Sequence, residues 1–102
     1  MTTSVRTADS IAQEISAYIR QRGGSYSQWY VGIATAPRNR LFGDHNVSES
    51  DGAWIYSGCA TSAEARAIEA HFVSLGMKGG SGGGDGGTKA IYAYRITPTT
   101  IE

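Results

Sequence analysis

Three short segments rich in aromatic and β-branched residues constrain the fold of this chain most. They are residues 28–34 (QWYVGIA), 53–60 (AWIYSGCA) and 90–96 (AIYAYRI). Their composition is typical of β-strands, and each is half polar rather than continuously apolar. Parallel strands buried on both faces usually read as unbroken hydrophobic runs. The pattern therefore predicts a small three-stranded mixed or antiparallel sheet, covered mainly on one side.

Helical patterns precede each of the three strands. Residues 9–22 place apolar side chains at helical spacing, and residues 62–75 follow a capping-box pattern that begins at Thr61. A shorter helix is predicted from about residue 37 to residue 44, because Pro37 suits the first turn of a helix. The fold class is therefore predicted as α+β, with three helices flanking the sheet. A length of 102 residues predicts one domain, spanning residues 1–102.

The overall charge and the single cysteine narrow the classes of function. The formal net charge is zero, which disfavours tight non-specific binding to nucleic acid, because such binding depends on neutralised phosphates. Cys59 is the one cysteine, so no disulfide forms within the chain. No apolar run approaches the length of a membrane span, and the first residues lack an apolar signal core. We expect a soluble cytoplasmic protein with no membrane partner.

A glycine-rich run lies between the last predicted helix and the last strand. Seven of the nine residues at positions 79–87 are glycine. The run lacks the Gly-Lys-Ser/Thr ending of a phosphate-binding loop and does not lead from a strand into a helix. We expect it to be a flexible flap or a closely packed connector within the domain.

One carboxylate breaks the amphipathic pattern of the helix at 62–75. At 100° per residue, Glu69 falls inside the apolar arc of that helix. A carboxylate that faces a core is costly unless it is paired, hydrogen-bonded or bound to a metal. Two interpretations remain open: Glu69 lies at the rim and reaches water or Arg40, or it is a functional carboxylate that points into a cleft.

Polar and phenolic side chains cluster around the first predicted strand. Tyr30 alternates away from the apolar face and is followed by Gly32, which would leave open space beside it. Tyrosines of the other two strands are expected to share that face. Arg40 is either a solvated surface residue or a phosphate ligand, and His45 is a general acid or base, a phosphate donor or an ordinary loop residue.

The segment YVGIATAPRNRLFGDHN, residues 30–46, resembles the second signature segment of GIY-YIG nuclease domains. In that family, a Tyr-Ile-Gly strand is followed by a short helix that carries an arginine and then a histidine. The letters YVG at 30–32 stand in the Tyr-Ile-Gly positions. Arg40, Leu41 and His45 fit the pattern of the helix.

The segment EARAIEAHF resembles the family's metal-binding helix, in which an alanine precedes a glutamate by four residues. Ala65 and Glu69 fit that spacing. The resemblance implies a three-stranded antiparallel sheet and an endonuclease of DNA or RNA that uses Mg²⁺ or Mn²⁺. It also implies roles: Glu69 holds the metal, Arg40 meets the phosphate, and Tyr30 or His45 handles the proton. Contact with nucleic acid is expected to be weak and transient.

One part of the family pattern is missing. The Gly-Ile-Tyr strand, which belongs about ten residues upstream of Tyr30, is replaced by the end of a helix and a turn. Either Tyr26 lies near the site, or the last strand fills the vacant position and offers Tyr92 or Tyr94. The alternative function is a non-catalytic interaction module on the same scaffold, which binds protein or nucleic acid through a tyrosine-rich sheet face.

Overall fold

Helix α1, Ala8–Arg22, opens the described part of the chain, which comprises residues 7–79 and 88–102 of the computed structural model. The Thr7 side chain accepts a hydrogen bond from the Ser10 backbone amide and so caps the first turn. The helix ends at Gly23, where φ is +93°. A side chain is strained at that angle, so glycine sets the point at which the chain leaves the helix.

Four strands form one mixed sheet in the described residues: β1 Trp29–Ala34, β2 Trp54–Gly58, β3 Lys78–Gly79 and β4 Ala90–Arg95. Their order is β2-β4-β1-β3. Strand β4 lies between β2 and β1 and is antiparallel to both, and β3 is parallel to β1. The domain is therefore α+β, with the last strand near the centre of the sheet.

The predicted count of three strands is wrong, because β3 joins the edge of β1. Strand β3 has two residues, too few to show alternating polarity in the sequence. At Gly79, an added Cβ would lie 2.8 Å from Val73 Cγ2 and 3.1 Å from the Val31 carbonyl oxygen. Only glycine allows the chain to approach β1 this closely. Gly79 is the one residue of the glycine-rich run at 79–87 that belongs to the described residues.

Helices α1 and α2 cover one face of the sheet. Helix α2, Ser62–Ser74, begins where the sequence predicts it, since the Thr61 side chain accepts a hydrogen bond from the Glu64 amide at 3.1 Å. The side chains buried between these helices and the sheet come from both helices and from strands β1 and β4. They are Ile11, Ile15, Ile19, Trp29, Val31, Ile33, Ala65, Ile68, Phe72, Ile91 and Ala93. This core holds the sheet and α2 in a fixed relation.

The second face is covered by a short helix and by the residues after β4. The short helix, predicted at 37–44, contains a π-helix at Asn39–Asp44. Leu41 of the π-helix and Val47 of the following loop are buried against Tyr92 and Tyr94 of β4. The face that carries the tyrosines is therefore packed, and the prediction of a sheet covered mainly on one side is wrong.

Candidate active site

Three tyrosine rings lie side by side on the second face of the sheet. Tyr30 in β1 is paired with Tyr94 in β4, and their ring centroids are 5.2 Å apart with 24° between the ring planes. Tyr30 also stacks on Tyr92, with 6.5 Å between the centroids. The expectation that several phenols share one face is confirmed. Because β-strand side chains alternate, this face excludes Val31 and Ile33, which lie in the helix-covered core.

Gly32 makes room for the Tyr92 ring. The two residues are directly opposite in the β1–β4 pair. A Cβ added at Gly32 would lie 2.5 Å from the Tyr92 hydroxyl oxygen and 2.6 Å from its Cζ. The phenol therefore lies across the backbone of β1, in the space that a side chain at position 32 would occupy.

The π-helix places Arg40 and His45 next to each other. Its wider turn joins the His45 amide to the Arg40 carbonyl oxygen at 2.8 Å, five residues apart. Beyond the π-helix, the Val47 amide donates to the Leu41 carbonyl oxygen at 2.9 Å. Leu41 is fully buried and anchors this turn on the sheet. π-Helical turns are rare and are frequently found at functional sites. Here the turn directs the His45 ring inward, where it is 6 % exposed.

Both ring nitrogens of His45 are hydrogen-bonded. Nδ1 lies 2.7 Å from the Ile101 carbonyl oxygen and 3.1 Å from the Tyr94 hydroxyl oxygen, and Nε2 lies 2.7 Å from the Tyr92 hydroxyl oxygen. Since a carbonyl oxygen only accepts, Nδ1 donates to Ile101. In the neutral ring, Nε2 then accepts a hydrogen bond from the Tyr92 hydroxyl. The Tyr30 ring packs against the same imidazole, with 4.8 Å between the centroids.

Arg40 lies at the rim of this cluster and is paired with Asp44. Arg40 Nη1 donates to Asp44 Oδ2 at 3.1 Å, and both side chains are exposed. This hydrogen bond is the main cause that raises the pKa of the Arg40 guanidinium, and the phenolic oxygens of Tyr92 and Tyr30 contribute to the same shift. The guanidinium is therefore within electrostatic reach of the tyrosines, although its carboxylate partner is Asp44.

Glu69 lies on α2, which covers the opposite face of the sheet, and acts on the cluster through its charge. Its side chain is half-buried, and loss of contact with water raises the pKa of its carboxyl group, while the nearby charge of Arg66 opposes that rise. Burial is also the main cause that raises the pKa of the Tyr92 phenol. The Tyr30 phenol and the Glu69 carboxylate raise it further, and the Arg40 guanidinium lowers it. Glu69 and Arg40 thus act with opposite sign on one hydroxyl. They have different charged neighbours, Arg66 for Glu69 and Asp44 for Arg40, so the expected reach of Glu69 to Arg40 is not seen in the described residues.

Tyr26 does not lie in this cluster. It belongs to a 3₁₀ turn, Tyr26–Gln28, and its ring packs against Phe72 of the helix-covered core, with 6.3 Å between the centroids. The alternative to Tyr26, the last strand β4, lies next to Tyr30 and His45 and brings both Tyr92 and Tyr94 there.

The sequence pattern gives Tyr92 as one of three alternatives and does not assign two other groups of this cluster. Gly32 in the facing strand is the signal that favours a large ring at position 92. Asp44 follows Arg40 by four residues, a spacing that favours ion pairs in helices. The Ile101 carbonyl group has no signal in the sequence, because a main-chain group carries no residue type.

The acidic side chains restrict how this site would hold a metal ion. Within residues 7–79 and 88–102, no three His, Cys, Asp or Glu side chains are grouped so that they could hold a metal ion together. Mg²⁺ usually retains several water molecules and binds through one or two carboxylates plus substrate phosphates. Glu69, a single half-buried carboxylate, fits that mode of binding if substrate phosphate and water supply the other ligands.

Comparison with known proteins identifies no relative: no family model, no curated protein and no solved structure matches the chain. Among the residues that the structure describes, none of the helices has the length and apolar character required to cross a bilayer.

Proposed function

We propose that this chain is a GIY-YIG-like endonuclease domain that hydrolyses phosphodiester bonds of DNA or RNA with Mg²⁺ or Mn²⁺. The observation that carries the proposal is the grouping of Tyr30, His45 and Tyr92 beside Arg40. Glu69, the carboxylate expected to bind the metal, acts on the Tyr92 hydroxyl from the neighbouring helix. These are the residue types that phosphodiester hydrolysis requires: a proton acceptor, a phosphate ligand and a metal ligand.

The position of β4 supports this assignment. Strand β4 is antiparallel to β1 and pairs with it from Trp29 to Ala34. It brings Tyr92 over Gly32, so that a tyrosine from the last strand lies next to the tyrosine of the YVG segment. We propose that β4 replaces the family's Gly-Ile-Tyr strand, and that Tyr92 replaces its tyrosine.

Each residue then has a distinct task. A divalent ion held by Glu69 would supply positive charge and lower the pKa of a bound water. Arg40 would neutralise charge on the phosphate, for which its guanidinium must leave Asp44. Tyr92, which is 2 % exposed, would pass its own proton to His45 Nε2, 2.7 Å away, as it accepts one from water once the packed face has opened to substrate. This relay avoids a free phenolate, which burial of Tyr92 disfavours.

The test compares cleavage of supercoiled plasmid and of a single-stranded oligonucleotide, with Mg²⁺ or Mn²⁺, by the wild type and by Glu69→Gln. We expect the variant to lose on the order of a hundredfold in rate. The matched control is Glu14→Gln, on the exposed face of α1, which should cleave like the wild type. Equal rates for the wild type and Glu69→Gln, or no cleavage by the wild type with either metal, would refute the proposal.

A second candidate function rests on aromatic rings beside this site. On β2, the Trp54 and Tyr56 rings are nearly parallel, with 10° between their planes and 6.0 Å between their centroids. The Arg38 guanidinium lies 5.9 Å from the Trp54 ring centroid and pairs with Glu49. Tyr56 is 36 % exposed. Aromatic rings next to arginine suit stacking of bases from a single strand.

This second function would be binding without cleavage. Titration with an unlabelled oligothymidylate measures it, since Trp54 emission should be quenched on stacking. Tyr56→Ala should weaken binding about fivefold or more, because the variant loses the binding free energy of one base stacked on an aromatic ring. Glu69→Gln should bind like the wild type. Binding that is insensitive to Tyr56→Ala contradicts this candidate, and metal-dependent cleavage that is lost in Glu69→Gln decides for the nuclease.

A further inference from the structure

The residues after β4 are hydrogen-bonded to His45 through its main chain and its ring. The Ile101 amide donates to the His45 carbonyl oxygen at 2.8 Å, and His45 Nδ1 donates to the Ile101 carbonyl oxygen at 2.7 Å. Next to it, Asn46 Nδ2 donates to the Thr99 carbonyl oxygen at 3.0 Å. The Ile101 side chain is 59 % exposed, so its main chain, and not its side chain, makes the attachment.

The segment that carries this carbonyl group is held in place on its own side as well. The Thr100 amide donates to the Thr97 carbonyl oxygen at 3.2 Å, and the Thr97 amide donates to Thr100 Oγ1 at 3.0 Å, which closes a turn. The Tyr94 hydroxyl donates to the Ile101 carbonyl oxygen at 3.3 Å. Asn46 adopts a φ of +56°, which turns the chain just after the histidine. His45 and the Ile101 carbonyl group are therefore each held in place by contacts other than the hydrogen bond between them.

We infer that the main chain of Ile101 is a positioning group that fixes the tautomer of His45, with the proton on Nδ1 and the lone pair on Nε2 directed at Tyr92. The opposite tautomer would place the bare Nδ1 2.7 Å from a carbonyl oxygen, with no proton between the two acceptors. The Tyr94 hydroxyl, 3.1 Å from Nδ1, would have to give up the Ile101 carbonyl oxygen in order to donate to that nitrogen. It would also place an N–H on the side of the Tyr92 hydroxyl and remove the acceptor for its proton. The Ile101 carbonyl group acts through His45 and does not touch substrate.

Two parts of this inference stand separately. The tautomer is a property of the folded chain and needs no activity. Its catalytic consequence, that Tyr92 loses its proton acceptor when the tautomer changes, rests on the proposed nuclease function. A measurement of the tautomer therefore distinguishes failure of this inference from failure of that function.

The direct test is ¹⁵N NMR of the His45 ring at alkaline pH, where the imidazole is neutral. Chemical shifts and two-bond couplings distinguish a protonated from a bare ring nitrogen, and His71 on the surface of α2 is an internal reference for an exposed ring. We expect Nδ1 of His45 to be protonated in the wild type. Protonation of Nε2 in the wild type would overturn the inference.

The decisive variant lacks residues 101 and 102. Its control is Ile101→Ala with Glu102→Gln, which removes both side chains and keeps the main chain. We expect the deletion to change the tautomer ratio of His45 about fivefold or more, which is the worth of one ordinary hydrogen bond, and the control to leave it unchanged. An unchanged ratio in the deletion overturns the inference. If the deletion does not fold, the wild-type measurement decides, since protonation of Nε2 in the wild type overturns the inference.

The catalytic part has a separate readout. If the nuclease reaction is observed, the deletion should lower kcat about tenfold or more and leave KM unchanged, because proton transfer is impaired and phosphate binding is not. A fall in kcat without a change in tautomer contradicts the proposed route. A change in tautomer with unchanged kcat places His45 outside the reaction and leaves the positioning role intact.

Discussion

Replacing Gly32 with alanine tests whether the Tyr92 ring lies where the structure places it. The new Cβ would come within 2.6 Å of two Tyr92 atoms, the hydroxyl oxygen and Cζ, and 3.0 Å from Cε2. Cβ atoms in proteins do not approach other atoms this closely, so the ring must move. The ring carries the hydroxyl that is bonded to His45 Nε2, and a shift of the ring breaks that bond.

Three contributions set the change in the free energy of unfolding caused by Gly32→Ala. Overpacking of a well-packed site costs about 1–3 kcal/mol. A buried histidine nitrogen left without its partner costs about 1–3 kcal/mol more. The gain from replacing a glycine in a strand offsets about 0.5–1 kcal/mol. We therefore expect Gly32→Ala to lower the free energy of unfolding by about 3 kcal/mol, and Tm by about 12–24 °C for a domain of this size.

Urea and thermal unfolding, followed by circular dichroism, measure this effect. The matched control is Gly58→Ala in β2, where an added Cβ meets no atom within 4 Å, so its stability should match the wild type or slightly exceed it. Combining Gly32→Ala with Tyr92→Ala should be strongly non-additive, because removal of the ring removes the clash. A cost for Gly32→Ala no greater than that for Gly58→Ala would refute the placement of Tyr92 over β1.

Three further predictions concern charged groups at the site. Asp44→Asn frees the Arg40 guanidinium, so KM for nucleic acid should fall severalfold, and an unchanged KM contradicts this. Tm should change little, because an exposed ion pair contributes at most about 1 kcal/mol to stability. Burial raises the pKa of Tyr92 in the folded state, so the free energy of unfolding should fall as pH rises above about 10. Tyr92→Phe should reduce this alkaline loss of stability in unfolding scans. An equally steep loss in the variant argues against the pKa shift. Desolvation raises the pKa of Glu69, so its ionisation costs stability as pH rises above about 4. Glu69→Gln should therefore have a higher Tm than the wild type at neutral pH and the same Tm near pH 3, and Mg²⁺ should raise only the wild-type Tm.

Periodicity in the sequence was enough to predict the main elements and their faces. The strand at Trp29–Ala34 places Trp29, Val31 and Ile33 in the helix-covered core and Tyr30 on the other side, as its alternation predicts. Helix α2 begins after its predicted cap at Thr61. These features depend on residues a few positions apart, and the backbone of a strand or helix fixes where such neighbours point.

Strand order and the short β3 could not be read in the same way. Strand β4 lies between β1 and β2 because pairing depends on the register of distant segments, which no local window contains. Two residues are too few for alternation to identify β3, and close approach of Gly79 to Val31 made that pairing possible.

The sequence by itself determined which residue types are available: a glutamate within an apolar arc, an arginine and a histidine after a strand, and tyrosines on alternate positions. Only the tertiary structure decided which of them meet. His45 and the Ile101 carbonyl group are 56 residues apart in the chain, and Tyr92 reaches His45 because Gly32 leaves its place empty. Such contacts arise from sheet register and from main-chain hydrogen bonds, and neither is a property of any one residue or its near neighbours.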